Sequence, residues 1–282
     1  MAEILDGKEL SKKIRKELKA EVEELKSKGI NPKLAVILVG DDSASQVYVK
    51  NKSKACEKTG IDFEEYIFDA NITEQELLDT IEKLNNDDSV HGILVQSPVP
   101  KHIDANKAFG TISPEKDVDG FHPINVGNLS IGKDCFISCT PYGIVKILEE
   151  YNIETEGKEA VILGRSNIVG KPMIQCMLNK NATVTVCHSR TKNIEEITRR
   201  ADILIAAIGK AKFVKENMIK DGAVIIDVGI NRLEDGTIVG DVDFEKAKEK
   251  ASYITPVPGG VGPMTIAMLL NNVVKAAKNK LS

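Results

Sequence analysis

The sequence predicts an α/β protein of two domains, each built on a parallel sheet. Three observations carry that reading. Strand-length runs such as Leu34–Val39, Gly92–Val95 and Ile203–Ile208 are apolar at consecutive rather than alternate positions, as strands covered on both faces must be. Between them lie stretches whose apolar residues recur at helical spacing. The run Val161-Ile162-Leu163 then enters a turn bounded by Gly164 and Gly170 that opens a helix. Strands that alternate with helices make a doubly wound parallel sheet, of Rossmann type in the second domain.

Composition bounds the rest. The chain has 282 residues, 42% of them hydrophobic, enough for two medium domains with cores of their own. A net charge of −4 offers no basic surface for nucleic acid or an anionic membrane. There is no Trp and few other aromatics, which argues against a base-stacking surface. The longest apolar runs are strand-length, too short to span a bilayer. The start, Met1 to Asp6, lacks the basic-then-apolar pattern of a secretion signal. The five cysteines are odd in number and scattered. Only Cys135 and Cys139 are close, without the C-x-x-C and His spacing of a zinc site, so they read as reduced core thiols and no metal is expected. The expectation is a soluble, cytoplasmic protein.

Taken in order, Asp6 caps a first helix with Glu9 as its reciprocal partner. Leu10, Ile14, Leu18, Val22 and Leu25 line its buried face, and Gly29 and Pro32 end it. The strand Leu34–Gly40 follows, then a loop over Asp41–Ser45. A helix runs through Tyr48, Lys52, Ala55 and Cys56 to Gly60, and Phe63–Phe68 is a second strand. Thr73 caps the next helix, with Glu76 at the capping-box position and Leu77, Leu78, Ile81 and Leu84 facing in. The third strand, Gly92–Gln96, is stopped by Ser97-Pro98-Val99-Pro100. That is a βαβαβ unit with right-handed crossovers. Residues 101–125 read as loop. Thr140-Pro141-Tyr142 opens a helix to about Tyr151 that links the domains. Strand 161–164, helix 170–179, strand 183–187, helix 193–200 and strands at 203–208, 223–228 and 252–255 build the second domain. After Pro256–Pro263 comes an amphipathic helix from about Met264 to Lys278. Pro263 suits its first turn, and the helix is expected to pack back on the first domain. The expected domains are 1–139 with 263–282, and 140–262.

The turn Gly164-Arg165-Ser166-Asn167-Ile168-Val169-Gly170 can hold a pyrophosphate on its backbone N–H groups and the positive end of the helix dipole. It departs from G-x-G-x-x-G: Ser166 stands at the second glycine position, and the third falls at Gly170. Any tight turn from strand to helix also wants glycines, so the context decides. The next strand, Thr183–Cys187, ends in His188-Ser189-Arg190-Thr191, where NAD-binding folds place an acidic residue on the ribose hydroxyls. No carboxylate is there to repel a phosphate. Arg165 brings a planar fork of donors to the same place. The prediction is NADP rather than NAD, with the 2′-phosphate on Arg165, Ser189 and Arg190; the alternative is that these are ordinary solvated loop residues.

Tyr48 and Lys52 are four residues apart on one helix face. They are either a surface pair, or a proton-transferring amine beside a ring able to stack on a flat substrate. Gln96 ends the third strand, where α/β folds place ligand contacts, and its amide could orient Lys52. Asp119 lies in a loop dense with turn residues, as a turn former or as the acceptor for paired N–H donors of a heterocycle.

Five segments together resemble the bifunctional methylenetetrahydrofolate dehydrogenase/methenyltetrahydrofolate cyclohydrolase family. They are Tyr48-Val49-Lys50-Asn51-Lys52, Val95-Gln96-Ser97-Pro98, Pro114-Glu115-Lys116-Asp117-Val118-Asp119-Gly120-Phe121, Gly164 to Pro172, and Pro256-Val257-Pro258-Gly259-Gly260-Val261-Gly262-Pro263-Met264-Thr265. They occur in order over nearly the whole chain, and no catalytic position departs from the pattern. The resemblance implies a folate-binding first domain completed by the last helix, and an NADP-binding second domain. It implies that Lys52 is the catalytic lysine, that Tyr48 stacks on the folate, that Gln96 tunes the lysine and that Asp119 anchors the pterin. Val95, Ser97, Pro258, Gly259, Gly260, Pro263 and Thr265 would contact substrate. Gly164, Arg165 and Ser166 would hold the cofactor, with Ser189 near the 2′-phosphate and Ile230 on the nicotinamide side; Arg190 and Ile208 are further candidate cofactor contacts. Family members are typically homodimers joined through the cofactor domains. Relatives differ in using NADP or NAD, so that choice rests on the Arg165/Ser189 argument. Two rivals remain: another two-domain NADP-dependent oxidoreductase, which leaves Tyr48, Lys52 and Gln96 unexplained, and a dinucleotide-binding module without catalysis.

Overall fold

The computed structural model describes residues 2–281. The chain forms two compact units, Met1–Ser11 with Cys139–Thr265, and Lys12–Ser138 with Ile266–Ser282. It begins with strand β1 (Glu3–Ile4) and helix α1 (Gly7–Ser27). The Asp6 carboxylate accepts from the Glu9 N–H at 3.0 Å, and Leu10, Leu18, Val22 and Leu25 are buried along one stripe.

The unit that starts at Lys12 holds β2 (Lys33–Val39), α2 (Ser43–Thr59), β3 (Asp62–Phe68), α3 (Glu74–Asn85) and β4 (Gly92–Val95). The three strands are parallel in the order β3-β2-β4. The chain steps from β2 to the adjacent β3 and then crosses back over β2 to β4, so the order reverses between β2 and β4, and the crevice at their C-terminal ends is where such a sheet takes ligands. Helix α2 starts inside the expected Asp41–Ser45 loop, because Asp42 accepts from the Ser45 N–H at 2.7 Å and caps it. The Thr73–Glu76 capping box forms as expected; such a cap stabilises a helix by about 1 kcal/mol.

The expected loop 101–125 instead contains α4 (Ala105–Thr111) and the start of α5 (Pro123–Ser130). At 7 and 8 residues, these helices are too short to display an apolar period. Their caps define them: Asp104 accepts from the Asn106 and Lys107 N–H groups, and His122 accepts from the Ile124 N–H ahead of Pro123.

The other unit holds α6 (Cys139–Glu150), β5 (Glu159–Leu163), α7 (Gly170–Leu178), β6 (Thr183–Cys187), α8 (Ile194–Thr198), β7 (Ile203–Ala206) and β8 (Val224–Asp227). A hairpin of β9 (Asn231–Arg232) and β10 (Ile238–Val239) follows, then α9 (Phe244–Lys250) and β11 (Tyr253–Ile254). The sheet is parallel in the order β1-β11-β8-β7-β5-β6. Its direction of winding reverses between β5 and β7, the switch point of a doubly wound fold.

Residues at the N-terminus go with this sheet, not with the first domain as expected: Glu3 pairs with Tyr253 and Ile4 with Ile254. A two-residue strand carries no period to read. The hairpin β9–β10 and helix α9 escape pattern reading for the same reason.

The last helix, α10 (Val261–Lys278), starts three residues earlier than expected, with Pro263 in its first turn. From Ile266 onward it packs with the three-stranded sheet. Buried Asn272 donates to the Val118 carbonyl at 2.8 Å and to that of Ile137 at 3.1 Å. The folded units rest on these buried apolar layers. Surface pairs such as Lys28–Glu24 and Lys180–Glu149 each add about 0–1 kcal/mol.

Candidate active site

Gln96 follows β4 directly, and its N–H extends the sheet by donating to the Ile37 carbonyl at 2.8 Å. The side chain is 8% exposed. Its Nε2 donates to the Ser97 carbonyl at 2.7 Å, which fixes the orientation of the amide. Oε1 must then face the other way, where it accepts from Lys52 Nζ at 2.8 Å. Lys52 is half-buried on α2. Tyr48, one turn earlier, is 44% exposed. An uncharged amide holds an ammonium less tightly than a carboxylate does. Cys56, one turn further along α2, is no competing nucleophile: burial pushes its thiol up to about 12, although the Lys52 charge pulls the other way.

Half-buried Asp119 sits in a loop held on both flanks. On one, Asp117 is 1% exposed and accepts from the Phe121 N–H at 3.1 Å, the His122 N–H at 2.8 Å and Asn125 Nδ2 at 2.8 Å. Burial pushes its carboxyl up to about 7 against the pull of these donors. On the other, Lys116 Nζ donates to the carbonyls of Leu84, Asn85 and Asp87 at the end of α3. Asn272 holds the Val118 carbonyl, next to Asp119 in the chain. The sequence pattern singles out Asp119 and passes over Asp117, Lys116 and Asn272. The only available signal for the first two was a charged pair inside a turn-rich loop; Asn272 looks like any polar residue of an amphipathic helix.

The structure brings Tyr48, Lys52, Val95, Gln96, Ser97 and Asp119 into one unit, while Pro258, Gly259, Gly260, Pro263 and Thr265 belong to the other. In that second group, the Gly259 carbonyl accepts from the Lys8 N–H at 2.9 Å, mooring the Pro-Gly-Gly run to the start of α1. Thr265 Oγ1 lies 2.9 Å from Thr140 Oγ1. The peptides Ser97–Pro98 and Val257–Pro258 are both cis.

The glycine turn leaves β5 at the switch point. Gly164 has φ +119, and a Cβ there would stand 2.2 Å from the Ala207 carbonyl oxygen just past β7. Only glycine fits so close an approach. Ser166 does more for the turn than its position in the motif suggests: Oγ accepts from the Val169 and Gly170 N–H groups at 3.2 and 3.3 Å, and its carbonyl accepts from Lys171 at 2.9 Å. Those three N–H groups at the start of α7 are thus engaged within the protein. Past β6, the His188 N–H donates to Thr191 Oγ1 at 2.9 Å and Arg190 N–H to His188 Nδ1 at 3.1 Å. That tight turn leaves Ser189 and Arg190 exposed, as is Arg165. A guanidinium, a hydroxyl and a cradle without Cβ, with no carboxylate between Cys187 and Thr191, suit a phosphate-bearing dinucleotide. Ile208 follows β7, half-buried; Ile230 follows β8, 53% exposed.

A doubly wound sheet with a phosphate-suited turn at its switch point, in a chain whose other unit holds an oriented lysine against the end of its own sheet, defines a dinucleotide-dependent enzyme of the two-unit α/β class. Comparison with known proteins narrows that class. The family described as Tetrahydrofolate dehydrogenase/cyclohydrolase, NAD(P)-binding domain, matches residues 138–281. Its catalytic domain matches residues 5–119. The chain is 59% identical over 281 residues to the Bifunctional protein FolD of Bacillus pumilus, covering 100% of this chain and 99% of the relative. The crystal structure of the bifunctional enzyme FolD, methylenetetrahydrofolate dehydrogenase/cyclohydrolase, of Campylobacter jejuni superposes with a TM-score of 0.98 at 58% identity, covering 99% of this chain and 100% of that one. The Trypanosoma brucei N5,N10-methylenetetrahydrofolate dehydrogenase-cyclohydrolase, solved with NADP cofactor and an inhibitor, gives 0.95 at 40% identity, covering 99% and 98%. The chain belongs to the tetrahydrofolate dehydrogenase/cyclohydrolase family.

Proposed function

We propose a division of labour among the site residues of a bifunctional, NADP-dependent methylenetetrahydrofolate dehydrogenase and methenyltetrahydrofolate cyclohydrolase. The first reaction oxidises 5,10-methylenetetrahydrofolate to the 5,10-methenyl cation, and the second hydrolyses the cation to 10-formyltetrahydrofolate. NADP, when bound, supplies the hydride acceptor. Arg165, Ser189 and Arg190 hold its 2′-phosphate; Gly164 lets the turn approach closely while Ser166 keeps it in shape; Ile208 and Ile230 give the nicotinamide an apolar flank.

In the first reaction the folate nitrogen lone pair expels the hydride, so the protein's part is positioning. Tyr48 stacks on the pterin and Asp119 accepts its N–H donors, with Val95, Ser97, Pro258, Gly259, Gly260, Pro263 and Thr265 as further substrate contacts. In the second reaction water adds to the methenyl carbon and the ring opens, which requires protons to leave the water oxygen and reach a ring nitrogen. Lys52 carries them, held on line by Gln96.

The observation that carries this assignment is the Lys52 Nζ–Gln96 Oε1 bond of 2.8 Å, made by an amide whose other end is already committed to Ser97. The test follows absorbance of the methenyl intermediate and of reduced nucleotide during turnover, with NADP and NAD side by side. NADP reduction followed by decay of the methenyl signal is expected; methenyl accumulating without enzyme-dependent decay would contradict the second reaction.

Strand β6 is paired on one side only within its sheet, and an unpaired edge is a ready surface for a second copy; this supports a homodimer joined through the NADP-binding unit. Five cysteines outside any disulfide support a reducing, cytoplasmic compartment. No helix of the described residues is long and apolar enough to cross a membrane.

A further inference from the structure

Asp241 lies in the doubly wound unit, two residues past β10. It is 0% exposed. Its Oδ2 accepts from the Ile208 N–H at 2.7 Å and the Gly209 N–H at 3.0 Å; its Oδ1 accepts from the Lys210 N–H at 2.8 Å and from Asn231 Nδ2 at 2.9 Å. Three successive backbone donors thus wrap one side chain. Those donors belong to the loop after β7, whereas Asn231 opens the hairpin after β8.

Asp241 is itself placed by a second carboxylate. Its N–H donates to Asp227 Oδ1 at 2.9 Å; Asp227 also accepts from Gly229 at 2.9 Å and from Val242 at 2.9 Å. The packing leaves no slack. A Cβ on Gly229 would stand 2.3 Å from Asp241 Oδ1, and one on Gly240 would stand 1.9 Å from Asp227 Oδ2.

We propose that Asp241 is a positioning residue for the dehydrogenase reaction: by tying the 208–210 loop to Asn231, it sets the two strand ends that present Ile208 and Ile230 to the nicotinamide half of NADP. The inference rests on the cofactor placement proposed above. It follows from position as much as from bonding. Both tied loops leave the C-terminal ends of adjacent parallel strands, the edge where a doubly wound sheet takes its ligand. A carboxylate can accept four donors at once. An amide in its place would turn one acceptor into a donor facing two N–H groups, which forces the loops apart without changing the volume of the side chain.

The role is distinguished from plain structural support by which activity it moves. Asp241→Asn in the full-length enzyme is expected to weaken NADP binding about tenfold or more and to lower dehydrogenase kcat/KM at least in proportion. Hydrolysis of methenyltetrahydrofolate, assayed without nucleotide, stays within about twofold. Asn231→Ala, which leaves the carboxylate in place, gives the same pattern on a smaller scale, about threefold in NADP affinity, and serves if the first variant does not fold. Equilibrium NADP affinity is read by titration, so the proposal is tested even if the wild-type enzyme turns over a different substrate. Unchanged NADP affinity in the folded variants, or equal losses in both reactions, would overturn it.

Discussion

Lys52 Nζ and Gln96 Oε1 are 2.8 Å apart, and the polarity of that contact is fixed from behind, because Gln96 Nε2 donates to the Ser97 carbonyl at 2.7 Å. Gln96→Glu keeps the shape and reverses the consequence. A carboxylate would hold the ammonium as an ion pair, which disfavours the neutral amine, and its second oxygen would face the Ser97 carbonyl with no proton to share. Cyclohydrolase kcat is expected to fall about a hundredfold or more, the scale of losing a general acid–base group, with a smaller loss of dehydrogenase. Equal effects on the two rates would count against a tuning role.

The proposed pterin acceptor, Asp119, sits in a loop clamped by Asp117, Lys116 and Asn272. Asp119→Ala leaves the clamps and removes the acceptor. Unpaired donors cost about 1–3 kcal/mol, so KM for folate should rise about five- to a hundredfold in both reactions. Steady-state kinetics with each folate substrate measures this; an unchanged KM would refute the pterin contact.

Arg165 decides between nucleotides if it reaches the 2′-phosphate. A hydrogen bond to a charged group is worth about 1.5–3 kcal/mol. Arg165→Ala should raise KM for NADP at least about tenfold while leaving the use of NAD nearly unchanged. The ratio of kcat/KM for the two nucleotides reads this directly, and a ratio equal to that of the wild type would return Arg165 to the ordinary solvated surface.

Asp117 gives stability a pH dependence whose sign is fixed by the direction of its shift. Burial raises its folded pKa from 3.8 to about 7, so between those values the folded chain holds a proton that the unfolded chain releases. Its contribution is fully present below the unfolded value and is lost as pH rises through about 7. Relative to Asp117→Asn, which does not titrate, the wild type should therefore be more stable at about pH 5 than at about pH 8. Denaturant unfolding of both proteins at the two pH values tests it; a difference that does not change, or changes the other way, would refute the burial argument.

Much of this arrangement was legible in the residues. The apolar runs at 34–39 and 203–206 gave away the strands because burial on both faces leaves a continuous signal. Asp6 and Thr73 marked helix starts because capping chemistry is local. The site residues Lys52 and Gln96 were suggested by helix spacing and by the end of a strand, and five motifs in order tied them to a family. What stayed hidden was whatever depends on distant pairing. Strand β1 exists because Tyr253 and Ile254 lie beside it, which no window around Glu3 can reveal. Asp241 drew no notice in the sequence, and only the fold shows three N–H groups from 31 to 33 residues upstream converging on it. Ser166 read as a substituted glycine, whereas its hydroxyl organises the start of α7.

The most direct test is to measure both activities of Lys52→Met in one preparation. Only the hydrolytic reaction moves protons to and from water, so it should lose nearly all of its rate while hydride transfer to NADP persists at a reduced level. A normal rate of methenyltetrahydrofolate hydrolysis would contradict the account at its centre.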